Sequence, residues 1–143
     1  MSLLVDTGVI YAAHDTDATR HDAATAALDG VYDGNYGQPY VSDFVYDEVV
    51  TLTLERSNSW EVARDVGRKL RGAGSYPSAY NLLRISAAVF ADAVDVFEQY
   101  DDQRLSFTDA TTIAVLHRHD IDAVLSFDDD FDGLVDRIAP GAA

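Results

Sequence analysis

Apolar positions follow two different spacings along this chain. Short unbroken runs occur at Leu3-Leu4-Val5, at Tyr40-Val41, in "YNLLRI" at 80–85 and in "AVLSF" at 123–127. Runs of that length, bounded by polar or turn residues, suit strands buried on both faces. Between them the apolar residues recur with helical spacing over 9–13, 21–28, 43–56, 60–71, 86–100 and 108–119. Ser42, one of Ser57, Asn58 or Ser59, then Ser86 and Thr108 stand where N-caps belong, and Gly30, Gly72 and Gly74 where helices close. "DGNYGQP" at 33–39 is turn chemistry, and "LVDRIAP" at 134–140 offers an edge strand. Strands alternating with helices predict an α/β fold, a central mostly parallel sheet covered on both faces. With no internal repeat, low-complexity stretch or long linker, residues 1–143 read as one domain.

Composition narrows the class. The apolar fraction of 48% belongs to a chain with a real core, and no run is long enough to cross a bilayer. The chain passes from Met1 into apolar sequence without a basic segment, so no signal peptide is expected and a cytoplasmic location is. Without cysteine there is neither a disulfide framework nor a thiolate metal site. Asp and Glu total 25 against 10 Lys and Arg, a formal charge of −15, and Lys69 is the sole lysine. The acids are scattered through periodic sequence, which excludes a disordered acidic tail. An acidic face for a basic partner would not require lysine to vanish everywhere. Adaptation to high salt would, and the composition resembles that of proteins from extreme halophiles. In strong salt, −15 no longer argues against a nucleic-acid partner.

Four acids carry the candidate chemistry. Asp6 follows the first apolar run, Asp109 opens a helix after "RLSFT", and Asp128 follows "VLSF". In an open parallel sheet all three would reach the carboxyl rim, where ligands collect. Glu48 has Phe44, Val45, Thr51 and Leu52 three and four residues away, so it shares a partly apolar helix face. Taken singly each has a plainer role: Asp6 and Asp109 as helix caps, Glu48 as a solvated helix acid, Asp128 as part of a polar turn in "DDDFD". Together they would repel unless protons or cations neutralise them, and oxygen ligands without His or Cys select Mg²⁺ or Mn²⁺. Asp6-Thr7-Gly8 is also the tripeptide of aspartic proteases. That chemistry needs a second copy in a strand-rich fold, and this helix-rich chain has one.

The chain resembles the PIN-domain family of small metal-dependent ribonucleases, and within it the VapC-type toxins of prokaryotic toxin–antitoxin pairs. The resemblance rests on "LLVDTGVIYA", on "VSDFVYDEVVTL" with Glu48, on "LSFTDATTIAVLHRH" with Asp109 and on "AVLSFDDDFDG" with Asp128. These pieces fall in the family's order and spacing over nearly the whole chain. It implies a three-layer α/β/α sandwich and Mg²⁺ or Mn²⁺ held chiefly by Asp6 and Asp109, with Glu48 and Asp128 completing the pocket. It implies supporting hydroxyls at Thr7 and Ser126, with Asp130 as an extra acid. RNA would be hydrolysed by metal-activated water, a cognate antitoxin would inhibit the enzyme, and a homodimer is expected.

The remaining residues add less. His14, His21, His117 and His119 form no metal spacing, and His117 and His119 suit the C-terminal end of a helix. Arg56, Arg64, Arg68, Lys69 and Arg71 hold half the basic charge beside the stripe Trp60, Ala63, Gly67 and Leu70. They read either as a solvated face or as an RNA- or antitoxin-contacting surface. Rival functions are an RNA-processing nuclease of the same fold without an antitoxin and an inactive module that keeps the acidic pocket. A phospho-acceptor receiver domain would need a lysine at the acidic rim, and Lys69 lies in a charged helix instead.

Overall fold

The computed structural model describes residues 1–141. Five strands form the central sheet: β1 (Ser2–Val5), β2 (Gln38–Ser42), β3 (Asn81–Leu83), β4 (Ala123–Leu125) and β5 (Arg137–Ile138). Every pairing is parallel and the spatial order is β3-β2-β1-β4-β5. The central strand is therefore the first one made. Leu3, Leu4 and Val5 are fully buried, as a strand covered on both faces requires.

Six helices connect and cover the strands: α1 (Thr7–His14), α2 (His21–Tyr32), α3 (Asp43–Ser57), α4 (Trp60–Arg71), α5 (Ala87–Gln99) and α6 (Phe107–Arg118). α1 packs on α2 and on α3, and α3 on α4, whereas α5 pairs chiefly with α6. Right-handed crossovers put the first group on one face of the sheet and the α5–α6 pair on the other, giving the three-layer α/β/α sandwich. Between the layers lie Phe131, Ile10, Val45, Leu70 and Ile113, all essentially without solvent contact.

The caps explain most helix starts. Ser42, Ser59 and Ser86 each accept a hydrogen bond from the backbone N–H three residues on, satisfying a donor the helix itself leaves free. Gly72 closes α4 in the left-handed conformation at φ +64°.

Two boundaries differ from the sequence reading. α2 continues through Gly30 to Tyr32, and the left-handed residue after it is Gly34 at φ +81°. Gly30 serves packing: a Cβ there would stand 3.1 Å from the Tyr36 ring. α6 starts at Phe107 with Ser106 as its cap. Thr108 lies inside the first turn, where its carbonyl accepts from the Thr111 hydroxyl at 2.6 Å.

Gly37 leads into β2 at φ +75°, with the Met1 carbonyl oxygen 2.0 Å from where a Cβ would sit. The conformation and the close backbone approach both demand glycine. Gly37→Ala is expected to cost about 3 kcal/mol, read as a lower midpoint in chemical denaturation.

Candidate metal centre

The chain runs from β1 outward to β2 and β3, then crosses to β4 and β5 on the other side of β1. Crevices in open parallel sheets form where the winding reverses, outside the carboxyl ends of the two strands concerned. Here those strands are β1 and β4, with Val5 paired to Leu125. The next residues, Asp6 and Ser126, therefore face each other. The Asp6 N–H donates to the Leu125 carbonyl at 3.0 Å, and the Ser126 hydroxyl donates to Asp6 Oδ2 at 2.6 Å.

Asp6 occupies the N-cap position of α1, yet its carboxylate makes no capping hydrogen bond. The side chain is turned to Ser126 and to a cavity of about 750 Å³. Asp109 does cap: Ser106 Oγ accepts from the Asp109 N–H at 3.0 Å, and Asp109 Oδ2 accepts from the Ser106 N–H at 3.1 Å. This reciprocal box fixes the Asp109 rotamer. Asp128 heads the single 3₁₀ turn Asp129–Phe131, its Oδ1 accepting from the Asp130 N–H at 2.9 Å. Ser126 Oγ also accepts from the Asp128 N–H at 3.0 Å, so one serine hydroxyl aligns two of the acids. Glu48 projects from the second turn of α3.

Asp6, Glu48, Asp109 and Asp128 all line the one cavity, together with Thr7 and Ser126. Asp130 does not line it. Its neighbour Asp129 does, and Asp130 contributes its N–H to Asp128. The basic cluster is divided too. Arg56 lines the cavity, Arg64 pairs with Asp65 at 3.1 Å and lies over Trp60, and Arg71 donates to the Tyr46 hydroxyl at 3.0 Å. His117 sits in the last turn of α6 and His119 at its C-cap, outside the cavity.

Burial pushes the Asp6 carboxyl up to about 6, against the lowering effect of the Ser126 and Thr7 hydrogen bonds, with the charges of Glu48 and Asp128 adding to the rise. Burial likewise pushes Asp109 up to about 7, and the Asp6 charge raises it further. Two carboxylates that resist ionisation beside each other leave room for a cation to favour their charged forms. Among the described residues no Lys, Arg or His comes within ion-pair distance of Asp6, Glu48, Asp109 or Asp128.

The donor set fits a hard divalent cation. Every candidate ligand is an oxygen, and the buried Thr7 hydroxyl beside Asp6 has no hydrogen-bond partner. No three of the four rim acids bring oxygens within 4.8 Å of one another. Asp6, Glu48, Asp109 and Asp128 are the residues that would hold such an ion. The tighter trio Asp128, Asp129 and Asp130 is a turn at the surface.

Residues 3–136 match the PIN domain. The chain belongs to the PIN-domain family. Solved PIN-like structures share its backbone. VapC20 of Mycobacterium tuberculosis, a sarcin-ricin-loop-cleaving toxin, is 24% identical over 91% of this chain and 92% of its own, with a TM-score of 0.77. A toxin–antitoxin complex from Klebsiella pneumoniae matches at 20% identity over 97% and 98%, TM-score 0.67. FitAcB of Neisseria gonorrhoeae matches at 18% over 99% of both chains, TM-score 0.69. Among curated proteins none matches the sequence.

The PIN cavity is also lined by Arg20, Phe127, Tyr11 and Ser106, which the sequence does not single out, and by Arg56 of the basic cluster; Arg20 lies over Phe127 and Arg56 over Tyr11. Arg20 had no signal at all, because it sits in the loop before α2 and belongs to no periodic pattern. Tyr11 was legible only as an apolar helix position.

Proposed function

We propose that this PIN protein is an Mg²⁺- or Mn²⁺-dependent endoribonuclease, the toxin of a toxin–antitoxin pair. The observation that carries the reading is the gathering of Asp6, Asp109, Glu48 and Asp128 in one cavity, with no ion pair to any of them among the described residues. A bound divalent ion supplies an acidified water and stabilises negative charge on a phosphodiester. The protein's part is positional. Ser126 holds Asp6 with an outward-facing oxygen, the Ser106 box locks Asp109, and Glu48 and Asp128 are placed to accept protons or hold water ligands. No side chain in the cavity is required as a covalent nucleophile.

Several features support the toxin assignment. The structures named above include a toxin and a toxin–antitoxin complex. Leu54, Trp60 and Val62 stand exposed along α3 and α4, offering apolar area to an antitoxin segment. A homodimer is part of the same reading. No helix among the described residues is long and apolar enough to cross a membrane. The near-absence of lysine supports work at high salt, so the assay belongs in molar KCl.

The test is cleavage of cellular RNA with Mg²⁺, with Mn²⁺ and with EDTA. Cleavage with either ion and none with EDTA is expected; equal cleavage in EDTA would remove the metal from the reading. Ser126→Ala should lower metal affinity by about 10- to 100-fold, measured by Mn²⁺ titration of thermal stability, because both Asp6 and Asp128 lose their shared anchor.

A further inference from the structure

The cavity walls hold two arginines that the metal site does not use. Arg20 lies over the Phe127 ring at 4.8 Å from its centroid, and Arg56 lies over the Tyr11 ring at 4.8 Å. The rings belong to the segments that carry the acids. Phe127 lies between Ser126 and Asp128, and Tyr11 one helical turn beyond Thr7. Tyr11 is buried and Phe127 half-buried, whereas both arginines are exposed. Each guanidinium thus lies over an aromatic ring at the cavity, and Arg56 also acts on the Tyr11 hydroxyl and on Asp15.

Among the described residues neither arginine has a carboxylate within ion-pair distance, whereas Arg64, Arg118 and Arg137 take carboxylate partners. The two guanidiniums line the cavity, exposed and without an ion pair to its acids among the described residues. They remain open to an anion brought from outside. A guanidinium edge matches phosphate oxygens in a two-pronged hydrogen bond, and a stacked guanidinium loses little freedom on making it. The cavity of about 750 Å³ is far larger than a hydrated ion needs.

We propose that Arg20 and Arg56 are substrate-binding residues that grip phosphates on either side of the scissile one. The backbone of a single-stranded RNA then runs across the cavity mouth from the Phe127 wall to the Tyr11 wall, with the bond to be cut over the acids between. This rests on the ribonuclease reading above and extends it to the path of the strand.

The experiment compares wild type, Arg20→Ala, Arg56→Ala, Arg20→Lys, Arg56→Lys and Arg118→Ala on a fluorogenic single-stranded RNA with Mn²⁺, over a range of salt. Arg118 is paired with Asp92 at the end of α6 away from the acids and reports the loss of one charge elsewhere. Each alanine variant should raise KM about tenfold with kcat within about threefold, since one two-pronged phosphate contact is lost. Each should also flatten the slope of log KM against log salt by about 0.7, the share of one phosphate on a single strand. The lysine variants should keep the salt slope while recovering only part of KM, and Arg118→Ala should match wild type. Unchanged KM and slope in both alanine variants, with wild type cleaving, would overturn the strand path and leave the ribonuclease intact. A loss confined to kcat would also overturn it. If wild type cleaves no RNA with either ion, the strand path and the ribonuclease fall together. The lysine variants keep the stacking contacts, so they read the same question if an alanine variant folds poorly.

Discussion

Asp6→Asn is expected to reduce RNA cleavage by at least about 10²- to 10³-fold while leaving the protein folded. The amide keeps the shape of the carboxylate, and its oxygen can still accept from Ser126, so the strand-to-helix junction is preserved. What it removes is one negative charge at the point where β1 and β4 end. Asp109→Asn makes the same change on α6, and its side-chain oxygen can still accept from the Ser106 N–H and keep the capping box. Both variants should also melt higher than wild type when free of metal, since each replaces a carboxylate that burial disfavours by a neutral group. Higher stability together with lost activity marks a residue kept for chemistry. Cleavage assays and thermal melts in EDTA check the two halves. Wild-type cleavage rates in both variants would remove these acids from the site.

The second large effect is a pH dependence of stability. Asp6 is raised from 3.8 to about 6 and Asp109 from 3.8 to about 7, in each case mainly by burial. In the window between about pH 4 and pH 7 the folded state therefore holds protons that the unfolded chain has released. The sign follows: stability is fully present below pH 4 and is lost as pH rises through 6 and 7. For Asp6 alone the loss is on the order of 3 kcal/mol, at roughly 1.4 kcal/mol for each unit of pKa. Asp109 adds to it less than independently, because the two acids repel each other and titrate as a pair. Exposed Asp15 and Asp132 have lowered values, through the Tyr11 hydrogen bond and the Arg137 pair respectively, and act in the opposite sense only at more acid pH. Denaturant midpoints in EDTA from pH 4 to pH 8 should fall for wild type and stay flatter for Asp6→Asn. Subtracting the two curves removes the general self-repulsion of a chain at −15. Added Mn²⁺ should restore the wild-type midpoint at pH 8, through binding to the folded state alone. A flat wild-type curve in EDTA would show that the acids are not buried as described.

The elements were legible because short apolar runs and helical periodicity are local properties. β1 and β4 needed nothing beyond Leu3-Leu4-Val5 and Ala123-Val124-Leu125, and Ser42, Ser59 and Ser86 announced three helix starts. Misplaced boundaries came from residues with two possible uses. Gly30 has the residue type of a helix end, but it stays in the helix to admit Tyr36. Thr108 has the residue type of a cap, yet Ser106 two residues earlier has both partners of the box. Asp6, Asp109 and Asp128 can be gathered in advance because each ends a strand or begins a helix at the same rim, and Glu48 because its helix face is partly apolar. Arg20 and Phe127 cannot, because their meeting depends on the loop between α1 and α2 folding over the end of β4. The choice of Asp129 over Asp130 as a cavity residue depends on one 3₁₀ turn, and no periodicity specifies that.

The hydrogen bond from Ser126 to Asp6 joins positions 120 residues apart. Asp6 and Glu48 leave the ribosome early, but Asp109, Ser126 and Asp128 belong to the last third of the chain. β4 must insert beside the first strand before all four acids can share a cavity. A nascent chain lacking its final third would already hold half the acids and could not cut. For an enzyme proposed to attack RNA, this topology acts as a timer. Competence is delayed until β4 has been made, and the interval is set by the residues between β1 and β4 and by the slow search for a distant parallel pairing.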